Sequence, residues 1–523
     1  METQTSFSSF KSFRHSVVLS IFLSFFWTVA LAEPKHIQFP VTAFSIDGTL
    51  PIASSLADES LIPFTNKDHS LDSLRDAAKA LESVIRSEGF SFYRVVVPPQ
   101  TLDQGIVKLK VVEFVLGDVT LKGNSFFDTP NVRHSLPDLI QGQSPNTEEI
   151  AQQLKVANRH PSKDLKLTFK QSKTSGFVDA VLNVEEQKPE QFSLIMTNTG
   201  NDATGDFRVT AAYQHSNLWN KDHLFNASYT TSPDHLDDVK QYGLSYSLPL
   251  YNHKAWLSSY YVHSSVDTGT VASVFDVSGA GDMMGVHWLQ YLPRENQYEH
   301  WLDIGFDSRY FENDIDFLGT PIGVDVRSFP VSFLYKGEFS WPSTKVDFNI
   351  QYLRNTGLGS ENDGVDYAAS RLGASDSWDA FRYGVTVERN IDKFVFRATL
   401  DGQFSDEALI SGEQFGIGGS SSVRGYEERE TAADSGSTIK LELHSPRFNG
   451  ISLVGFYDHG FGSIESPLAD DDKSWSLSSL GIGARGQFGE HILASIDLAH
   501  TLKDSISTSS GDDFLHATIV LQY

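Results

Sequence analysis

The sequence predicts two small α+β modules followed by a 16-stranded antiparallel transmembrane β-barrel, all of it exported from the cytoplasm. Three observations carry that prediction. An export leader opens the chain, a period of two runs from 191 to 523, and long and short connections alternate along that second part.

The leader comes first. Lys11, Arg14 and His15 precede an apolar run at 17–27, and Ala30-Leu31-Ala32 supplies a small-x-small cleavage pattern before Glu33. The run is shorter than the roughly 20 residues of a spanning helix, so 1–32 reads as a signal peptide and not an anchor. No later run approaches spanning length, and no helical membrane segment is expected. The chain has no cysteine, which excludes a disulfide scaffold and any thiolate metal site. A net charge of −26 argues against nucleic acid as a partner, because phosphate recognition requires a basic surface.

The modules follow. In 37–114, the stretch 41–46 is extended, and 71–90 is helical with Leu74, Ala77, Ala78, Leu81, Val84 and Ile85 at helical spacing before Gly89. Strands at 93–97 and 106–114 flank a Pro98-Pro99 turn. The order repeats in 115–188, with an extended stretch at 115–121, a helix at 147–157 and a hairpin from 165–171 and 177–185.

From 191 the period changes to two. Tyr242, Leu244, Tyr246 and Leu248 alternate with Gln241, Gly243, Ser245 and Ser247; Val346, Phe348, Ile350 and Tyr352 alternate with Asp347, Asn349 and Gln351. Such dyads place apolar side chains on one face of a strand and polar ones on the other. A soluble sandwich would show the same alternation, but many segments here are longer than the roughly 5 or 6 residues typical of globular strands. They match the roughly 9 to 11 residues of a membrane strand. Aromatic residues gather at segment ends, as interface girdles do. Sixteen segments fit, an even number as single-chain bacterial barrels require. Connections at 265–281, 312–327, 356–380, 406–436, 462–475 and 502–512 are long, whereas those between them are tight turns. Long external loops and short periplasmic turns produce that asymmetry, with both barrel ends and the preceding modules on the periplasmic side.

A family resemblance rests on specific residues. The repeated strand–helix–helix–strand–strand order resembles a pair of POTRA domains. Loop 406–436 contains Phe415-Gly416-Ile417-Gly418-Gly419-Ser420-Ser421-Ser422-Val423-Arg424-Gly425-Tyr426, which resembles the Val-Arg-Gly-Tyr/Phe loop of BamA-like outer-membrane transporters. Its longer Gly-Gly-x-x-Ser-Val-Arg-Gly-Tyr form is similar to that of TpsB proteins, the ShlB/FhaC/HecB translocators of two-partner secretion. Phe456-Tyr457-Asp458-His459-Gly460, Leu480-Gly481-Ile482-Gly483 and Asn158-Arg159-His160-Pro161 are further matches.

The resemblance implies that loop 406–436 folds back into the lumen and that Arg424 meets Asp458 on the inner wall. The residues are compatible: Asp458 shares the phase of Ser452, Val454 and Phe456, opposite Ile451, Leu453 and Tyr457, and a carboxylate matches the arginine fork. The resemblance also implies periplasmic capture of an unfolded, TpsA-type β-helical exoprotein, followed by export through the pore. Strand addition at an exposed sheet edge would supply recognition, at Tyr93, Arg94, Val95, Val96 and Val97 or at Leu165, Lys166, Leu167, Thr168 and Phe169. Tyr523, on the apolar face of the last strand with Leu515, Ala517, Ile519 and Leu521, resembles the terminal aromatic read by outer-membrane assembly machinery. The lipid bilayer is the remaining partner. Only 33–40 precedes the first module, too short for the pore-plugging helix and linker of many TpsB proteins.

Competing readings are a BamA-like assembly factor, a passive porin and a membrane-embedded hydrolase. An assembly factor usually has more than two POTRA units, and a porin leaves the modules unexplained. A hydrolase lacks its Gly-x-Ser-x-Gly elbow here. With no phosphate-cradling loop and no His-x-x-x-His spacing, no enzyme activity, nucleotide, metal or other cofactor is expected.

Overall fold

The computed structural model describes residues 38–523, apart from 102–103, 202–203, 267–268, 272–274, 278–279, 296, 314–315, 318–319, 322 and 468–471. The expected signal peptide at 1–32 lies outside the described residues.

In the first module, Ile106–Glu113 is the central strand of three, parallel to Ala43–Asp47 and antiparallel to Tyr93–Val96. Helices α1 (Ser54–Leu61) and α2 (Leu71–Ser87) complete the unit. Ser70 caps α2 by accepting the Ser73 N–H at 3.3 Å, and Leu74, Ala77, Ala78, Leu81 and Ile85 bury one stripe of it. The helix stops at Ser87 rather than 90, because Gly89 takes φ +88° and turns the chain. Helix α1 buries only Ala57 and Leu61, too few positions to show a period in the sequence.

The second module repeats the plan. Phe177–Glu186 is central, between Val115–Lys122 and Lys163–Gln171, with α3 (Thr129–His134) and α4 (Thr147–Asn158) alongside. In Asn158-Arg159-His160-Pro161, the Asn158 side chain accepts from Leu165 N–H at 2.8 Å and donates to Leu165 C=O at 3.0 Å. That side-chain rung joins the end of α4 to the following strand. Thr147 N–H donates to Gly89 C=O at 2.8 Å, tying the two modules together.

The barrel strands, in order, are Glu190–Thr197, Arg208–Leu218, His223–Thr231, Gln241–Leu250, Ala255–Ser264, Gly281–Tyr291, Tyr298–Phe311, Pro330–Trp341, Thr344–Asn355, Asp379–Ile391, Phe394–Phe404, Ser435–His444, Ile451–Ser463, Ser474–Phe488, Ile492–Thr501 and Asp513–Gln522. A short segment, Val326–Ser328, extends the eighth and pairs with the seventh as well. Sixteen antiparallel strands close into a ring, because an unpaired amide in hydrocarbon costs several kcal/mol and a sheet edge there cannot persist.

The seam joins the last strand to the first from Thr518↔Thr197 to Gln522↔Ser193, and Phe192 and Tyr523 exchange two backbone hydrogen bonds of 2.9 Å. Phe192, Leu244, Ile304, Phe306, Leu453 and Ile482 point outward, forming part of the apolar belt. Thr210, Gln241, Asp307, Gln403, Asp458 and Asp497 are buried on the opposite face, around the lumen.

Candidate functional site

Loop 406–436 leaves the eleventh strand and enters the twelfth. Phe415–Ile417 pairs with Thr431–Ala433 as a hairpin, and the tip between them lies on the inner wall. Arg424 is 2% exposed there. Its Nε and Nη2 donate to the two carboxylate oxygens of Asp458 at 2.7 and 2.8 Å, and its backbone N–H donates to the same carboxylate at 3.2 Å. Nη1 donates to Glu442 at 2.8 Å, with Asp497 at 3.5 Å. The guanidinium lies 3.6 Å from the centre of the Phe456 ring. One cation thus faces three carboxylates and stacks on an aromatic ring, which suits arginine and not lysine.

The neighbouring motif residues complete the seat. Ser422 Oγ accepts from Gly418 N–H at 3.3 Å, and Val423 is fully buried with Ile417, Tyr426 and Leu477. Gly425 has φ +96°, and a Cβ there would lie 3.0 Å from Thr501 and 3.3 Å from Ala499. Both the backbone and the wall therefore require glycine. Its N–H donates to His516 Nε2 at 3.0 Å. The Tyr426 hydroxyl reaches the carbonyls of Ser478 and Lys503, both at 2.9 Å.

Wall glycines make room for all this. A Cβ at Gly460 would lie 2.5 Å from Ile417 and 2.9 Å from Val423; at Gly481 it would meet the Phe456 ring at 2.3 Å, and at Gly483 the Asp497 carboxylate at 1.9 Å. The structure brings Arg424 and Asp458 together. Sequence reasoning missed Glu442, Asp497, Phe456 and His516. Their inward phase was readable, but which of them meets Arg424 is decided by cross-strand register.

Comparison with known proteins matches the family model described as "Haemolysin secretion/activation protein ShlB/FhaC/HecB" over residues 176–486, and the ShlB-type POTRA domain over 39–113. The chain belongs to the ShlB/FhaC/HecB family. It is therefore an outer-membrane β-barrel of a transporter family, with POTRA structure on the periplasmic side. The heme/hemopexin transporter protein HuxB of Haemophilus influenzae (strain 86-028NP) is 22% identical over 500 residues, 92% of this chain and 86% of that protein. The outer membrane transporter CdiB-2 of Burkholderia pseudomallei (strain 1026b) is 22% identical over 464 residues, 83% and 77% of the two chains. The solved structure of CdiB from Escherichia coli shares the fold with a TM-score of 0.75 at 18% identity, covering 95% of this chain and 92% of that one.

Within this ShlB/FhaC/HecB chain, the two sheet edges named from the sequence are terminal strands. Tyr93–Val96 and Lys163–Gln171 each pair on one side only, among the described residues. Tyr93 and Val95 turn inward, while Arg94 and Val96 are exposed. Burial, together with the Glu113 carboxylate accepting its hydroxyl at 2.9 Å, pushes the Tyr93 pKa up to about 12. Leu71, Leu74, Ala78, Val97 and Pro98 form an apolar groove beside the first edge, with Arg75 and Lys79 at its margin. On the second edge, Leu165 is buried, Leu167 and Phe169 are half-buried, and Lys166 and Thr168 are exposed. Tyr523 is exposed and stacks on His491, with ring centroids 5.4 Å apart.

The second module meets the barrel rim through a buried ion pair that the sequence did not reveal. Lys163 Nζ donates to Asp222 at 2.5 Å, Ser135 at 2.9 Å and Asn131 at 3.0 Å, using all three of its protons. Asp222 lies in the first tight turn of the barrel. Burial works to raise its carboxyl, but the Lys163 charge and the hydrogen bonds from Lys163 and Tyr251 hold it below the usual range. Phe127, Leu165, Tyr251, Trp256 and Leu289 pack around the joint, and Trp256 Nε1 donates to Val156 C=O at 3.2 Å. His160, next to the pair, is pushed down to about 4 by burial, against the pull of Asp222. Its Nδ1 accepts from Ser162 N–H at 3.2 Å and its Nε2 faces Ser216 C=O, an arrangement only the neutral ring can make.

Proposed function

We propose that this chain exports one partner polypeptide, a secreted β-helical exoprotein, through its barrel. Segments 37–114 and 115–188 act as two POTRA modules, 191–523 is the conduit, and 406–436 is the lumen loop. The unfolded passenger adds as a strand to Tyr93–Val96, with apolar side chains in the adjoining groove, or to Lys163–Gln171. The observation that carries this reading is that each edge strand pairs with only one other strand among the described residues, in modules tied to each other and, through the second, to the barrel rim. Each edge is capped at one rung, the Val95 N–H by the Glu82 carboxylate at 3.0 Å and Leu165 by the Asn158 side chain, and the remaining rungs offer the passenger its place.

Arg424 and Asp458 keep the loop in its working seat, and folding of the passenger outside gives the movement its direction without nucleotide, metal or cofactor. The chain acts as a passage and carries out no catalysis. Tyr523 serves during biogenesis, as the aromatic that assembly machinery reads before the barrel enters the bilayer. HuxB, by name a heme/hemopexin transporter, and CdiB-2, an outer membrane transporter, support the reading.

The test is co-expression with a large exported β-helical protein encoded nearby, assaying the culture medium with and without this chain. Appearance of the passenger only when this chain is present is the expected result. Equal secretion in its absence would overturn the proposal, and a general fall in other outer-membrane barrels on its deletion would favour an assembly factor.

A further inference from the structure

The tip of loop 406–436 is held by the loop's arginine on acidic wall residues. Elsewhere on the same loop the charges are reversed. Glu413 is fully buried. Its carboxylate accepts from Arg309 Nη1 at 2.8 Å, Ser328 Oγ at 2.7 Å and Arg382 Nη2 at 3.4 Å. Its backbone carbonyl accepts from Gln403 Nε2 at 3.0 Å. Arg309 in turn donates to Asp307 at 3.0 Å, so two arginines and two carboxylates balance. Next to Glu413, the backbone of Gly412 lies so close to the wall that a Cβ would meet the Phe311 ring at 2.2 Å.

The two attachments use separate strands of the ring. Arg309 is on the seventh strand and Arg382 on the tenth, whereas Asp458 is on the thirteenth and Asp497 on the fifteenth. The partners of Glu413 run from the seventh to the eleventh strand, with Gln403 on the eleventh, and those of Arg424 from the twelfth to the fifteenth, with Glu442 on the twelfth, so the two attachments occupy neighbouring arcs of the closed ring.

The geometry points to Glu413 as a second, independent anchor of the lumen loop, a positioning residue that fixes its first arm to wall strands other than those of the Arg424 seat. The loop then has two locks, one near its start and one at its tip, and each can release without the other. Removing Glu413 leaves Arg309 and Arg382 facing one carboxylate in a buried site, which strongly favours the undocked arm.

The chain has no cysteine, so one introduced thiol reports on one place. Ser411→Cys, beside Glu413, and Ser421→Cys, beside Arg424, are exposed sites for a nitroxide label on the full chain in lipid vesicles. Glu413→Gln is expected to raise the mobile fraction at 411 by at least about tenfold and to leave 421 unchanged. Arg424→Ala is expected to do the reverse. Planar-bilayer recordings of Glu413→Gln should show more frequent openings at unchanged thermal stability of the barrel, a combination that a merely structural role would not give. If Glu413→Gln does not fold, Arg309→Gln tests the same lock from the wall side and should mobilise 411 alike. An immobile label at 411 in both variants, or joint release of 411 and 421 by either lock, overturns the proposal. Passenger secretion is scored separately: a mobile 411 label with no passenger exported by any version counts against the export reading and leaves the second anchor standing.

Discussion

Lys163 and Arg424 each bring a cation out of water to meet an aspartate, and they do it in different ways. Lys163, at the module–barrel joint, is a point charge that spends its three protons on Asp222, Asn131 and Ser135. Large apolar side chains surround it, Phe127, Tyr251 and Trp256 among them. Arg424, in the lumen, is a flat fork matched to Asp458, stacked on Phe456 and bordered by two more carboxylates. Its apolar support is the small cluster of Ile417, Val423, Tyr426 and Leu477. The joint is thus a packed core that happens to contain an ion pair, whereas the loop seat depends on the ion pair itself.

That contrast can be broken by charge deletion. Arg424→Ala leaves Asp458, Glu442 and Asp497 without their shared cation, a loss of about 3–5 kcal/mol at the seat. Export should collapse while heat-modifiable migration on gels shows an intact barrel; wild-type secretion by this variant would refute the assignment. The double change Lys163→Met with Asp222→Leu sharpens the comparison. Replacing a buried pair by apolar groups is often neutral or stabilising by about 1–4 kcal/mol, so hydrogen exchange across α4 and the first barrel turn should stay slow. The matching pair Arg424→Met with Asp458→Leu should fail to restore export.

A smaller effect comes from pH. His160 is neutral at the joint with a pKa of about 4, against an ordinary value near 6.5, so the undocked state binds more protons in that interval. Docking is at full strength above about 6.5 and weakens as pH falls toward 4; going from pH 7 to pH 5 should cost about 2 kcal/mol. Asp222, held below the usual carboxylate range, stays charged throughout and does not cancel the effect. Faster exchange at the joint at pH 5, abolished by His160→Gln, is the expected outcome, and an identical rate at both pH values would count against it. The mildest change is Gly460→Ala, which pushes a methyl against Ile417 and Val423 and should cost about 1–2 kcal/mol of loop seating, read as partial loss of secretion at full barrel yield.

The barrel was legible because a strand repeats its signal every second residue for eight residues or more, and sixteen such segments reinforce one another. Asp458 was legible as Arg424's partner only through the motif around it and its phase along one strand. Glu442, Asp497 and His516 sit on other strands, and no local pattern says which rungs face each other. Phe456 is an apolar residue on the wet face, and the Arg424 guanidinium lies on its ring. Lys163 was hidden for another reason. A lysine opening an edge strand reads as solvated, and its partner comes from a turn 59 residues away. Helix α3 has six residues and buries only Asn131 and Val132, so it offers no periodicity to find.

The seam sets the order in which the cylinder can be completed. It is held by five register pairs, and the Ala517 amide bonded across it to Asn198 is 319 residues away along the chain. No local folding brings those two segments together, and their pairing carries a large loop-closure cost. A polypeptide interrupted anywhere between 198 and 513 would keep two unpaired sheet edges and could not rest in hydrocarbon as an open sheet.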